Sequence, residues 1–157
     1  MEKEDFFMEK CNCNDDTIKL LKECDAGSKM AVTSIDDVLD DVQNEKLKKL
    51  LIESKDHHTK LGNEIHEQLN RNCADEKEPN VMARSMSWLK TNVKLGMGTE
   101  DSDKIVADLM TDGCNMGVKS LNKYLNQYKN ADEESQKLCM RLIKIEEKLC
   151  EELEDYL

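Results

Sequence analysis

The chain has 157 residues, the size of one compact domain, with 36% charged and 4% aromatic residues, one proline and six glycines. That mixture suits long exposed helices and excludes a β fold. A net charge of −11 gives no general electrostatic support for binding nucleic acid or an anionic membrane, and directs attention to cations, a basic protein surface or further copies of the chain.

Residues 1–15 form an N-terminal arm carrying Phe6, Phe7 and the Cys11-Asn-Cys13 pair, and Asn14, Asp15 or Asp16 caps the helix that follows. The spacing predicts a first helix over 16–43, with Ile18, Leu21, Ala31, Val32, Ile35, Leu39 and Val42 on its apolar side and Asp25 in the same stripe. A second helix starts at once, near Asn44 or Glu45, and runs to about Asn72. Its inward set is Leu47, Leu50, Leu51, Ser54, His57 or His58, Leu61, Ile65 and Leu69. So short a connection makes the two helices an antiparallel hairpin.

Residues 73–79 hold the one proline, Pro79, and a cluster of charges, and read as a linker. An inserted helix over 80–98 carries Met82, Met86, Trp88, Leu89 and Val93 and fails at Gly96 and Gly98. A second hairpin spans 100–157. Its first helix covers about 102–128 with Ile105, Val106, Leu109, Met116, Leu121, Tyr124 and Tyr128. Its second covers about 133–156 with Leu138, Leu142, Ile145, Leu149, Leu153 and Leu157 in a row. The expectation is one domain over 16–157.

The hairpins read as one unit written twice. Gly27, Met30, Val32, Ser34 and Leu39 recur 86 residues later as Gly113, Met116, Val118, Ser120 and Leu125. Leu50, Leu61, Ile65 and Leu69 recur 88 residues later as Leu138, Leu149, Leu153 and Leu157, a register that aligns His58 with Glu146. Two such hairpins bury their stripes by packing as a four-helix bundle.

Each main helix has a polar break in its stripe: Asp25, then His57 or His58, then Asp112, then Glu146. Carboxylates and imidazoles projecting inward from four helices are how bundle proteins hold two irons or manganeses. The full ligand pattern of such centres is missing, because no Glu-x-x-His occurs at His57 or His58. Asp25, His57, His58, Asp112 and Glu146 are the candidate metal ligands, for iron, manganese or zinc. The plain alternative is that they reach water at stripe edges or pair with Lys29, Lys55 or Lys148.

Cys11, Cys13 and Cys24 form a candidate thiol site, either a soft-metal site or a redox pair. Cys73, Cys114, Cys139 and Cys150 read by default as small buried apolar residues. Met82, Met86, Met97, Met110, Met116 and Met140 read as core filler. The acidic start, Met1 to Asp5, lacks the basic and apolar regions of a secretory signal, and no run of 18 apolar residues occurs. The reading is a cytoplasmic protein with free thiols and no membrane span.

Several of these motifs carry a resemblance: Asp25-Ala-Gly27, Met86-Ser-Trp88-Leu-Lys90, the run Thr99 to Ile105, Asp112-Gly113 with Lys119 and Leu125, and Leu142 to Leu149. Over 17–157 the chain resembles the bacterial ferritin-like four-helix bundles of unknown function, built from two helical hairpins. The resemblance implies an all-α, ferritin-like four-helix bundle with an extra helix in the crossover. Asp25 and one of His57 and His58 match the family pattern. Acidic residues flank the family's glycine in the fourth segment, where this chain has Thr111, Cys114 and Asn115. The family's His-Asp pair in the last helix is replaced here by Glu146-Glu147.

The first functional expectation is an interaction or structural protein, self-associating as a dimer and non-catalytic, with the Trp88-bearing helix as apolar anchor. The alternatives are a metal-binding ferritin-like protein and a thiol redox sensor. No phosphate-binding loop or nucleophile elbow is present to suggest an enzyme.

Overall fold

The computed structural model describes residues 14–72 and 102–157. Four α-helices account for nearly all of them: α1 (Asp15–Leu39), α2 (Glu45–Arg71), α3 (Ser102–Gln127) and α4 (Glu133–Leu153), followed by a 3-10 turn over Glu154–Tyr156. No strand occurs among the described residues. The N-terminal arm to residue 13, the linker 73–79 and the inserted helix 80–98 lie outside them.

The helix starts follow the capping chemistry. The Asn14 side chain accepts the Asp16 N–H, that of Asn44 accepts the N–H groups of Lys46 and Leu47, and that of Asp132 accepts the Ser135 N–H. Helix α1 stops four residues short of the expected end. Residues 40–44 form a turn in which Val42 reaches the core and Asn44 becomes the cap of α2. A continuous helix through Val42 would deny Asn44 the extended backbone that its capping role needs.

The hairpins are clamped together at both ends. At one end the Asp103 carboxylate accepts the backbone N–H groups of Gln43 (2.7 Å) and Asn44 (3.0 Å) in the α1–α2 turn. At the other, Asp16 accepts the Asn130 N–H (3.0 Å), Thr17 Oγ1 accepts the Asp132 N–H (2.8 Å), and Asn14 donates to the Asn130 carbonyl. Gln68, near the end of α2, bonds Glu134 at the start of α4. These contacts fix the directions. Helices α1 and α4 run one way, α2 and α3 the other, and Asn72 and Ser102 stand at opposite ends.

Packing splits the core in two. One apolar cluster holds Ile35, Val38, Leu47, Leu51, Val106, Met110 and Leu153 near the α1–α2 turn. The other holds Leu20, Leu21, Leu61, Ile65, Leu69, Leu138 and Leu142 toward the opposite end. Between them, at mid-height, lie the buried polar residues Ser28, Ser54, His58 and Glu146. Met116 and Met140, expected as core filler, are 56% and 44% exposed, and Leu157 is 54% exposed. Those positions lie outside the arcs that face other helices, so helical spacing alone misassigned them.

Close approach at mid-height depends on small residues. A Cβ on Gly62 would lie 2.9 Å from Ser28 Oγ, whose hydroxyl donates to the Asp25 carbonyl. Gly62→Ala therefore gains helix preference, worth about 1 kcal/mol, but forces the Ser28 hydroxyl aside. The expected outcome is little net change for Gly62→Ala alone. In a Ser28→Ala background the same change is expected to be stabilising by up to about 1 kcal/mol, as a urea-unfolding cycle would show.

Candidate functional site

The polar centre is built on α2 and α4. His58 lies on the buried arc of α2 with Leu51, Ser54, Leu61 and Ile65, and Glu146 lies on that of α4 with Leu142, Leu149 and Leu153. His58 is fully buried and Glu146 nearly so. His58 Nε2 stands 3.1 Å from Glu146 Oε1, and Nδ1 stands 2.8 Å from the Ser54 carbonyl oxygen.

A carbonyl oxygen only accepts, so Nδ1 carries a proton and donates it to Ser54. The Nε2–Glu146 contact then needs one further proton, held by either partner. With it, the pair is neutral overall, as an imidazolium–carboxylate or as an imidazole with a carboxylic acid. Without it, a lone pair would face a carboxylate in a dry interior, which is strongly unfavourable.

A third helix closes the site. The Cys114 thiol on α3 interacts with the Glu146 carboxylate by charge and hydrogen bonding. Burial first, and then that carboxylate, pushes the Cys114 thiol far above the ordinary range. Cys150, one turn beyond Glu146 on α4, hydrogen-bonds to Asn115 and is also raised, by burial and by the charges of Glu154 and Glu146. Gly117 leaves room for the carboxylate, since a Cβ there would rest 3.4 Å from Glu146 Cδ.

The other anticipated ligands are elsewhere. Asp25 is 1% exposed and accepts the Lys29 ammonium at 2.8 Å, the pairing given as the plain alternative. Ser28 faces Gly62 and Lys55 reaches Asp36, which puts His58 level with the α1 turn at Val32–Thr33. Asp25 is thus about two helical turns, roughly 10 Å, away along the axis. His57 is exposed and lines a groove of about 180 Å³ between α2 and α4, with Leu50, Glu53, Lys144 and Lys148. Asp112 is exposed on α3. Among the described residues, no three His, Cys, Asp or Glu side chains are gathered so as to hold a metal ion. Cys24 is in the core, whereas Cys11 and Cys13 lie outside the described residues.

Cys114, Gly117 and Ser54 were not singled out as partners of the polar centre by sequence. Ser54 was readable, because it precedes His58 by one turn on the same face. Cys114 and Gly117 carry no local signal, since their role depends on how α3 packs on α4.

On the outer α2–α4 seam, Arg141 makes a bidentate pair with Glu64, at 2.5 and 2.8 Å. Hydrogen bonding from Arg141 lowers the Glu64 carboxyl below its usual range; burial opposes it, and the Arg141 charge adds to the lowering. A lowered folded value stabilises above the unfolded value, near 4.3, and that contribution is lost as pH falls through the folded value. Both groups are about half exposed, so the contribution is under about 1 kcal/mol. Glu64→Gln is expected to lower stability at neutral pH by up to about 1 kcal/mol, to leave the acid side nearly unchanged, and so to shallow the loss of stability below about pH 4.5, as denaturant midpoints across pH would show.

No family model matches the chain, and neither a curated protein nor a solved structure matches it. No helix among the described residues is long and apolar enough to cross a membrane.

Proposed function

We propose that the chain is a ferritin-like helical bundle with a structural or interaction role, non-catalytic, which self-associates as a dimer. One observation carries this reading: the buried polar groups are engaged with the bundle itself. Both ring nitrogens of His58 meet protein oxygens, from Ser54 and Glu146, and Asp25 meets Lys29. The His58–Glu146 contact joins α2 to α4 and so can set their register, a recognised use of buried polar residues. The ferritin-like part is supported by topology. Each hairpin is short, and the one long connection joins helices of like direction, α2 and α3, as in bundles of that kind. Self-association would draw on the separately exposed side chains of Ile52, Met116 and Met140, and on the Trp88-bearing segment outside the described residues.

Sedimentation velocity of the full chain over a hundredfold concentration range tests the assembly. A dimer fraction rising with concentration is expected, and a sharp monomer throughout would overturn it. Elemental analysis after purification with iron, manganese and zinc present tests the role of the centre. Stoichiometric metal that disappears with His58→Ala would replace the structural reading with a metal-binding one.

A further inference from the structure

Helices α1 and α4 run parallel and in phase. Thr17 meets Asp132 through a 2.8 Å hydrogen bond, and three turns on, Gly27 packs against Leu142, where a Cβ on Gly27 would touch the leucine at 3.9 Å. Cys24 and Cys139 lie between these contacts at the same offset, each seven residues past the first and three before the second. Both are wholly buried in the same apolar cluster. Their thiols are neighbours at one level of the α1–α4 contact. Hydrogen bonding to Cys139 is the largest influence raising the Cys24 thiol, ahead of burial. Cys139 in turn donates to the Leu121 carbonyl, at 3.8 Å.

We propose that Cys24 and Cys139 are a redox pair, which a hydroperoxide joins into a disulfide that staples the first hairpin to the second across the bundle. With Cys139 as the attacking group, and equally with the roles exchanged, the attacking thiol ionises once opening of the α1–α4 contact admits water. Its sulfur bonds to one peroxide oxygen, the O–O bond breaks, and the departing hydroxide leaves as water with the proton that Cys139 gave up. The product is a sulfenic acid on Cys139. The Cys24 sulfur then displaces that hydroxyl: the S–S bond forms, the S–O bond breaks, and a second water carries away the Cys24 proton. Two thiols lose two electrons and two protons, and the peroxide accepts both. Burial makes the reaction slow, since it waits on opening of the α1–α4 contact. A disulfide needs its two Cα atoms within about 7 Å, and a matched level on two packed parallel helices is the placement that allows it.

The full-length chain, exposed to hydrogen peroxide, alkylated and digested, provides the test. The expected product is a peptide pair linking Cys24 to Cys139, lighter by two hydrogens and released by dithiothreitol. The oxidised protein is expected to melt several degrees higher, because the bond closes a loop of more than a hundred residues. Cys24→Ser and Cys139→Ser are each expected to abolish the shift, whereas Cys150→Ser keeps it. Should a serine unfold the core, Cys24→Ala gives the same readout. Cys24 and Cys139 both recovered as free thiols while other cysteines oxidise, or either found joined to a different cysteine, would overturn the proposal.

Discussion

His58→Ala is expected to destabilise the protein by about 3 kcal/mol or more, the largest single effect at the polar centre. His58 is fully buried, and removing it leaves the Glu146 carboxylate in a nearly dry site without its imidazole partner. Glu146→Ala is expected to cost less, about 1–3 kcal/mol, because a lone imidazole can stay neutral and loses one hydrogen bond rather than a counter-charge. The double replacement His58→Leu with Glu146→Met removes both charges and fills the space. It is expected to be neutral or stabilising by up to about 4 kcal/mol relative to wild type. Urea unfolding of wild type, the two alanine variants and their combination, His58→Ala with Glu146→Ala, gives the coupling between the two sites. Single variants that each lose less than about 1 kcal/mol would mean that the pair is not formed in solution.

Leu142→Ala is expected to cost about 3–5 kcal/mol. Leu142 is fully buried in the lower apolar cluster, on α4, and it packs against Gly27 on α1. The cavity would open between the two hairpins, where the backbones are held by the end clamps and cannot close in fully. Leu157→Ala, the same chemistry in the same row of leucines, is expected to change stability by less than about 0.5 kcal/mol, since Leu157 is more than half exposed. The contrast, read from denaturant midpoints, separates leucines that share a sequence row but not an environment. Similar losses at both would contradict the placement of Leu157.

The two hairpins, a cap among Asn14, Asp15 and Asp16, and the start of α2 near Asn44 were legible because they rest on local rules. Helix α2 was the clearest. Of its expected stripe, Leu47, Leu51, Ser54, Leu61, Ile65 and Leu69 are buried and Leu50 only partly so, and of the two histidines left open it is His58 that is buried. Helix α1 was read less well: Leu20, Cys24, Ala26 and Ser28 are buried, while Ala31, Val32 and Leu39 are only partly so. It packs against all three other helices, which widens its buried arc and fills it with small and polar residues that hydrophobicity does not flag.

The repeat register was informative in one place and misleading in others. It aligned His58 with Glu146, and those two side chains touch. It also aligned Leu69 with Leu157 and Gly27 with Gly113, yet Leu157 is exposed and Gly113 has open space where Gly27 meets Leu142. The expected belt of four polar breaks at one height reduces to His58 and Glu146, with Ser28 and Ser54 nearby. Asp25 and Asp112 occupy other levels or faces, since a stripe position fixes a side chain's direction but not its height against another helix. The Cys24–Cys139 and Cys114–Glu146 contacts had no local signature, being set by how one hairpin seats on the other.

The directions of the helices have an electrostatic consequence. With α1 and α4 aligned against α2 and α3, the four peptide dipoles cancel in pairs, and each end of the bundle presents two helix starts beside two helix finishes. Acidic side chains sit at every start: Asp15 and Asp16 on α1, Glu133 and Glu134 on α4, Glu45 on α2 and Asp103 on α3. A chain with a large negative total charge thus spends part of it neutralising partial positive charge at both poles, and its backbone gives an approaching ion no preferred pole.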